Sequence, residues 1–277
     1  MAKLMIRGLE TYVEIWNEEA QQTLVALHGF TGSTATWRNL AEALPNVRVI
    51  AIDLIGHGRT AIPQLISRFS MQEQILDVEE VCCQLQLKKF TLLGYSMGGR
   101  IALSYAISYP ERVDKLILES ASPGLRTLEE RSERCEKDNA LAEKIVRNGL
   151  LSFVNAWENI PMFESQKRLP RSIQEAIRAE RLSQKKEGLA GSLRGIGTGV
   201  QPSNWLSLTK LECPVLLITG SLDEKFCKIA LEMKALLKIV KHKTVNDAGH
   251  AIHVENPAEF ATIVEEYLTS FNTNERS

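Results

Sequence analysis

Two spacings of apolar residues alternate along most of the chain. Short unbroken runs at 23–28, 47–53, 90–95, 115–120 and 215–220 predict strands buried on both faces, as in a parallel sheet. Between them, apolar residues recur every three or four positions and predict helices. One helix begins at Ser70-Met-Gln-Glu73, where a hydroxyl and a carboxylate three residues apart form a capping box ahead of Ile75, Val78 and Val81. Near the end, Asn256-Pro257-Ala258-Glu259 supplies a cap, an N1 proline and an N3 glutamate for a final amphipathic helix reaching about Phe271. The polar residues 272–277 beyond it read as a frayed terminus. This alternation predicts an α/β fold with a doubly wound, mainly parallel sheet.

The alternation stops between 122 and 205. That stretch has no strand-like run and is helical, charged and rich in arginine, so it reads as an insertion between two strands. It would emerge at the carboxyl ends of the strands, where sheets of this kind bind ligands, and form a helical lid. The expected division is a core of 1–121 and 206–277 and a lid of 122–205.

Composition narrows the function. Lys and Arg number 33 against 34 Asp and Glu, a net charge of −1, so no general excess of cations is available for nucleic acid or an anionic membrane. The 44% hydrophobic and 24% charged fractions are those of an ordinary globular protein. The opening MAKLMIRGLETYVEIW lacks the apolar core of a secretory signal, and the longest apolar runs fall far short of the roughly 20 residues of a membrane span. Five cysteines, none in a C-x-x-C or Cys/His pattern, read as reduced and mostly buried. A cytoplasmic protein is expected, monomeric or a small homo-oligomer, with no metal and no cofactor.

The chemistry concentrates at turns after the strands. Gly94-Tyr95-Ser96-Met97-Gly98-Gly99 has the form G-x-S-x-G, with an apolar run before it and a helix-like 100–108 after it. Three fixed letters arise by chance in about one chain in ten of this length; the flanking strand and helix make them a nucleophile elbow. A serine hydroxyl needs an imidazole to take its proton and a carboxylate to hold that imidazole. Asp223 follows the strand at 215–220, and His250 lies in Asp247-Ala-Gly-His250 after 241–245. His253 is the rival for the base and Asp247 for the acid, although Asp247 stands where a turn needs a short polar residue. His28-Gly29-Phe30-Thr31-Gly32 follows the first strand and offers one oxyanion donor, the N–H of Phe30, with that of Met97 as the second; the plain alternative is a glycine-rich turn. His57, in Asp53-Leu-Ile-Gly-His-Gly58, reads as structural.

In this order, HGF, DLIGHG, GYSMGG, GSLDEKF and DAGH resemble the α/β-hydrolase superfamily over nearly the whole chain outside the lid. Fold alone does not choose a reaction. Arg100, four residues after Ser96 and on the same helix face, requires an anionic partner if buried. That partner is either a substrate carboxylate or a protein acid. The lid carries Ser122-Pro-Gly-Leu125, Glu130-Arg131-x-x-Arg134, Asp138, Trp157, Pro161-Met-Phe163, Arg181, Gly188-Leu-Ala190 and Gln201-Pro202. With GYSMGGR, these resemble the 2-succinyl-6-hydroxy-2,4-cyclohexadiene-1-carboxylate synthases of menaquinone biosynthesis.

That resemblance implies a lyase that eliminates pyruvate from the tricarboxylate 2-succinyl-5-enolpyruvyl-6-hydroxy-3-cyclohexene-1-carboxylate, with a Ser96–His250–Asp223 triad as base. It places Arg100, Arg134 and Arg181 on the substrate, with Arg178 as the alternative to Arg181, and Tyr95 and Trp157 in the pocket. Read without it, Arg134 and Arg181 are solvated helix charges. The alternatives in function are a serine carboxylesterase or C–C bond hydrolase and, in a different class, a non-catalytic ligand-binding protein on the same fold.

Overall fold

The computed structural model describes residues 2–270; Phe271 and the polar residues 272–277 lie outside the described residues. Eight strands form one sheet: β1 Ala2–Ile6, β2 Leu9–Trp16, β3 Gln22–Leu27, β4 Val47–Ile52, β5 Phe90–Tyr95, β6 Val113–Glu119, β7 Val215–Gly220 and β8 Val240–Val245. The spatial order is β1-β2-β4-β3-β5-β6-β7-β8. β1 with β2 and β2 with β4 are antiparallel, and every later pairing is parallel.

The five expected strands are present because both of their faces are covered. Val25, Leu27, Leu92 and Leu116 point into one core, while Leu24, Ala26, Leu93 and Ile117, one residue out of step, point into the other. The first core is completed by α2 Met71–Gln84, α3 Met97–Ser108 and α7 Glu224–Lys234; the second by α1 Arg38–Ala43, α8 Ile252–Glu255 and α9 Pro257–Thr269. β1 and β2 were not among the expected strands. Residues of β1 alternate between half-buried and exposed, so no continuous apolar run forms, and the two strands turn through Arg7 and Gly8 at φ 47° and 82°.

Ser70 caps α2 by accepting the Glu73 N–H. The return half of the expected capping box is absent from the described contacts; the Glu73 carboxylate is instead paired with Arg7 at 2.9 Å and Arg68 at 3.0 Å.

No strand lies between β6 and β7. That interval carries α4 Leu128–Trp157, α5 Arg171–Leu182 and α6 Lys186–Ile196, and α4 is interrupted at Gly149 (φ 81°, ψ 169°). Ala142, Ile145, Phe153, Val154, Leu189 and Leu193 give these helices a small core of their own, packed against Phe30 of the sheet's upper edge.

Candidate active site

β5 runs directly into α3, and Ser96 takes the turn at φ 49°, ψ −106°, a conformation costing on the order of 1–3 kcal/mol for a residue with a side chain. The turn is held from both sides: the Ser96 N–H donates to Glu119 O at 2.9 Å, and the Arg100 N–H to Ser96 O at 3.1 Å. Its tightness fixes its neighbours. A Cβ on Gly98 would run into the carbonyls of Leu27 and His28, and one on Gly94 into the Gly98 backbone.

Asp223 and His250 arrive at this serine from the loops that follow β7 and β8. Asp223 caps α7, its Oδ1 accepting the Phe226 N–H at 3.4 Å, while Oδ2 lies 2.6 Å from His250 Nδ1. His250 Nε2 lies 2.9 Å from Ser96 Oγ. A carboxylate oxygen accepts, so Nδ1 carries the ring hydrogen and Nε2 offers its lone pair to the serine hydroxyl. The loop bearing His250 is tied by Glu255, which accepts the N–H groups of Gly249 at 2.6 Å and Ala251 at 3.2 Å. The rivals lie elsewhere. Asp247 occupies the turn itself at φ 56°. His253 is buried behind Tyr95, its Nδ1 2.8 Å from Glu119.

Phe30 and Met97 both line the cavity in front of Ser96, and neither backbone N–H meets an acceptor among the described residues. The loop carrying Phe30 is locked by His28, whose Nε2 accepts the Leu54 N–H at 3.0 Å while Nδ1–H donates to Gly29 O at 2.8 Å. Burial lowers the His28 pKa. His57, packed at a tilt against His28 and edge-on to Phe30, is pushed down to about 3 by burial and by His28. Both rings are neutral packing elements around the donor loop.

The cavity holds about 400 Å³ and is lined by Tyr95, Ser96, Arg100, Arg134, Trp157 and Phe163, among others. Arg100 is 9% exposed, yet no acid pairs with it among the described residues: Nη1 donates to Ile196 O at 2.8 Å and to Gln201 Oε1 at 2.9 Å. Burial, with Arg134 nearby, lowers its pKa to about 10, so it stays charged at neutral pH. Arg134 is bound to Asp138 at 2.8 Å, and the other Asp138 oxygen is buried without a partner. The Trp157 indole N–H, also buried, has no acceptor.

Arg181 is the exception to the expected set. Its guanidinium lies 4.6 Å from the Phe163 ring centre and donates to Gln166 at 3.0 Å, lining a separate cavity on the far side of Phe163. Phe163 lines both cavities, and Arg181 only the second. Arg178 is no substitute, since it is tied to Glu158 at 2.5 Å and to Asn155 at 2.6 Å. Three cations that the sequence reading missed line the serine cavity: Arg126, stacked 3.6 Å over Trp205 and paired with Glu232 at 2.7 Å, together with Lys225 and Lys228. The two lysines stand two and five residues after Asp223, a helical spacing that was available as a signal. Among the described residues, no group of three or more His, Cys, Asp or Glu side chains is arranged to hold a metal ion. None of the described helices is long and apolar enough to cross a membrane.

Comparison with known proteins agrees with the fold. Residues 22–257 match the family model for the alpha/beta hydrolase fold. A Bacillus subtilis protein named provisionally as a 2-succinyl-6-hydroxy-2,4-cyclohexadiene-1-carboxylate synthase is 51% identical over 251 residues, 91% of this chain and 92% of its own. The Enterobacter synthase of that name is 32% identical over 88% of this chain and 91% of its own. The structure of MenH from S. aureus superimposes with a TM-score of 0.89 at 39% identity, covering 94% of this chain and 98% of that one. The chain belongs to the alpha/beta hydrolase fold family and, within it, to the 2-succinyl-6-hydroxy-2,4-cyclohexadiene-1-carboxylate synthases.

Proposed function

We propose that the protein is the lyase that converts 2-succinyl-5-enolpyruvyl-6-hydroxy-3-cyclohexene-1-carboxylate into 2-succinyl-6-hydroxy-2,4-cyclohexadiene-1-carboxylate and pyruvate. The observation that carries this reading is Arg100: a buried, charged guanidinium satisfied only by neutral oxygens, opening on the same cavity as Ser96. The one acid in its field, Asp138, is already bound to Arg134, so burying this cation is unfavourable, and a substrate carboxylate supplies the missing charge. Similarity to the named synthases supports the same substrate.

In this mechanism His250 takes the Ser96 proton and the serine oxygen removes the ring hydrogen alpha to the succinyl ketone. The electron pair moves onto the ketone oxygen, where the N–H groups of Phe30 and Met97 receive the developing charge. It then returns through the ring, the bond from ring carbon to enolpyruvyl oxygen breaks, and the proton held by His250 passes to the departing enolpyruvate. Asp223 stabilises the imidazolium between these two transfers. Arg100 and Arg134 hold carboxylates and so fix the reacting hydrogen near Ser96; Tyr95 and Trp157 wall the ring, and the Trp157 N–H is free for a substrate oxygen. Arg181 braces Phe163 rather than touching the substrate. The helices of 122–205 act as the lid of this site. Five unpaired cysteines support a reducing, cytoplasmic setting, for a monomer or small homo-oligomer.

The test is pyruvate release by purified protein, with Ser96→Ala and a neutral nitrophenyl ester run in parallel. Release well above the spontaneous rate, lost in Ser96→Ala and accompanied by little ester cleavage, is expected. Fast ester cleavage with pyruvate only at the spontaneous rate would replace the lyase by an esterase.

A further inference from the structure

The chain as a whole is almost neutral, at −1, but the walls of the serine cavity are not. Arg100, Arg126, Arg134, Lys225 and Lys228 face Glu130 and Glu232 there, an excess of three positive charges. The two acids are already engaged: Glu232 holds Arg126 at 2.7 Å, and Glu130 accepts the backbone N–H groups of Arg126 and Thr127 at the start of α4. Arg134 is held by Asp138.

Lys225 and Lys228 are different. Both line the cavity, both are exposed, and neither forms an ion pair among the described residues. Three residues apart, they share one face of α7, the helix that Asp223 caps, whose Phe226 ring packs 4.7 Å from the ring of His250. Lys225, in the first turn of α7, opposes the helix dipole. The position of the pair marks the lip of the cavity on the side of the triad acid, on a different element from Arg100 in α3.

We propose that Lys225 and Lys228 form an outer carboxylate subsite, which draws in the polycarboxylate substrate by one carboxylate before Arg100 and Arg134 take up others. This rests on the lyase reading above and names where a carboxylate is first met. An exposed lysine–carboxylate contact is worth little as a static bond. Two charges outside any ion pair among the described residues, the Lys225 ammonium resting 5.7 Å from the Phe226 ring centre, act instead on encounter at the mouth of a low-dielectric cleft, raising the association rate in a salt-dependent way. The effect belongs in kcat/KM, not in kcat.

The experiment measures pyruvate release by the parent protein, Lys225→Gln/Lys228→Gln and Lys225→Glu/Lys228→Glu at ionic strengths of about 10 mM and about 0.5 M, with hydrolysis of a neutral nitrophenyl ester as control. At low salt the glutamine pair should lower kcat/KM roughly tenfold and the glutamate pair further, with kcat unchanged within about twofold. At high salt the differences should shrink to about twofold or less, and ester hydrolysis should be unaffected throughout. An unchanged kcat/KM at low salt, a loss of equal size at high salt, or an equal loss on the ester would each overturn the subsite while leaving the lyase standing. A parent protein that releases pyruvate only at the spontaneous rate would overturn the lyase reading, and the subsite with it.

Discussion

Replacing Asp223 by asparagine removes one charge and almost no volume, and the structure sets the size of the effect. In the parent, Oδ2 faces His250 Nδ1 at 2.6 Å and Oδ1 accepts the Phe226 N–H at 3.4 Å. An asparagine that keeps its oxygen on Phe226 turns its NH₂ toward His250. The ring must then present a bare Nδ1 and carry its hydrogen on Nε2, where it can no longer accept the serine proton. Reversing the amide restores the tautomer at the cost of the long Phe226 hydrogen bond, about 1 kcal/mol. The neutral amide also forfeits its attraction to the imidazolium, about 4 kcal/mol for charge centres roughly 4 Å apart at an effective dielectric near 20. Together these give about 5 kcal/mol, a fall in kcat of between about 10³ and 10⁴. The assay is pyruvate formation read through lactate dehydrogenase and NADH, with thermal unfolding followed in parallel. A fall of less than about tenfold, with the melting temperature unchanged, would refute the assignment of Asp223 as the partner of His250.

Arg100→Ala should lower kcat/KM for pyruvate release at least about 100-fold while changing hydrolysis of a neutral nitrophenyl ester less than about threefold, the ratio cancelling any loss of folded protein; equal losses on both substrates would contradict carboxylate recognition. His57 is held neutral to about pH 3 when folded against 6.5 in the unfolded chain, so stability is present above pH 6.5 and lost as pH falls toward 3. Between pH 7 and pH 5 its share of that loss is about 2 kcal/mol. Urea unfolding of His57→Asn at the two pH values should show a correspondingly weaker dependence than the parent, and an identical dependence would refute it.

What the sequence disclosed depended on how local the cause was. β3 to β7 were legible because strands covered on both faces are mostly apolar runs, whereas β1 is a half-exposed edge strand carrying Lys3, and β2, although largely buried, has its apolar run interrupted by Glu10, Thr11 and Glu14. The meeting of Ser96, His250 and Asp223 was legible because each sits after a strand with its own turn chemistry. Arg100 was foreseen as needing a partner, but the neutral oxygens it meets come from Ile196 and Gln201, about a hundred residues away, and no local pattern encodes them. That Arg181 lines a different cavity from Ser96 was illegible for a related reason. Its own helix fixes its direction, but only the packing of the segment around Phe163 decides which cavity it lines. Lys225 and Lys228 were passed over because charges on an exposed helix face ordinarily mean solvent, and the cavity in front of them is made by a segment remote in sequence.

Gly149 leaves room around it: a Cβ there would meet no heavy atom within 4 Å, so glycine serves the dihedral angle and not the packing. It divides α4 into an arm bearing Arg134 and Asp138 and a shorter arm bearing Phe153 and Trp157. In an unbroken helix, inserting one residue turns everything beyond it by about 100°. A joint at Gly149 stops that rotation from carrying across. The charged wall and the aromatic wall of the cavity are thus separable modules on one stretch of chain, and a lineage can redesign the aromatic side while inheriting the charged side intact.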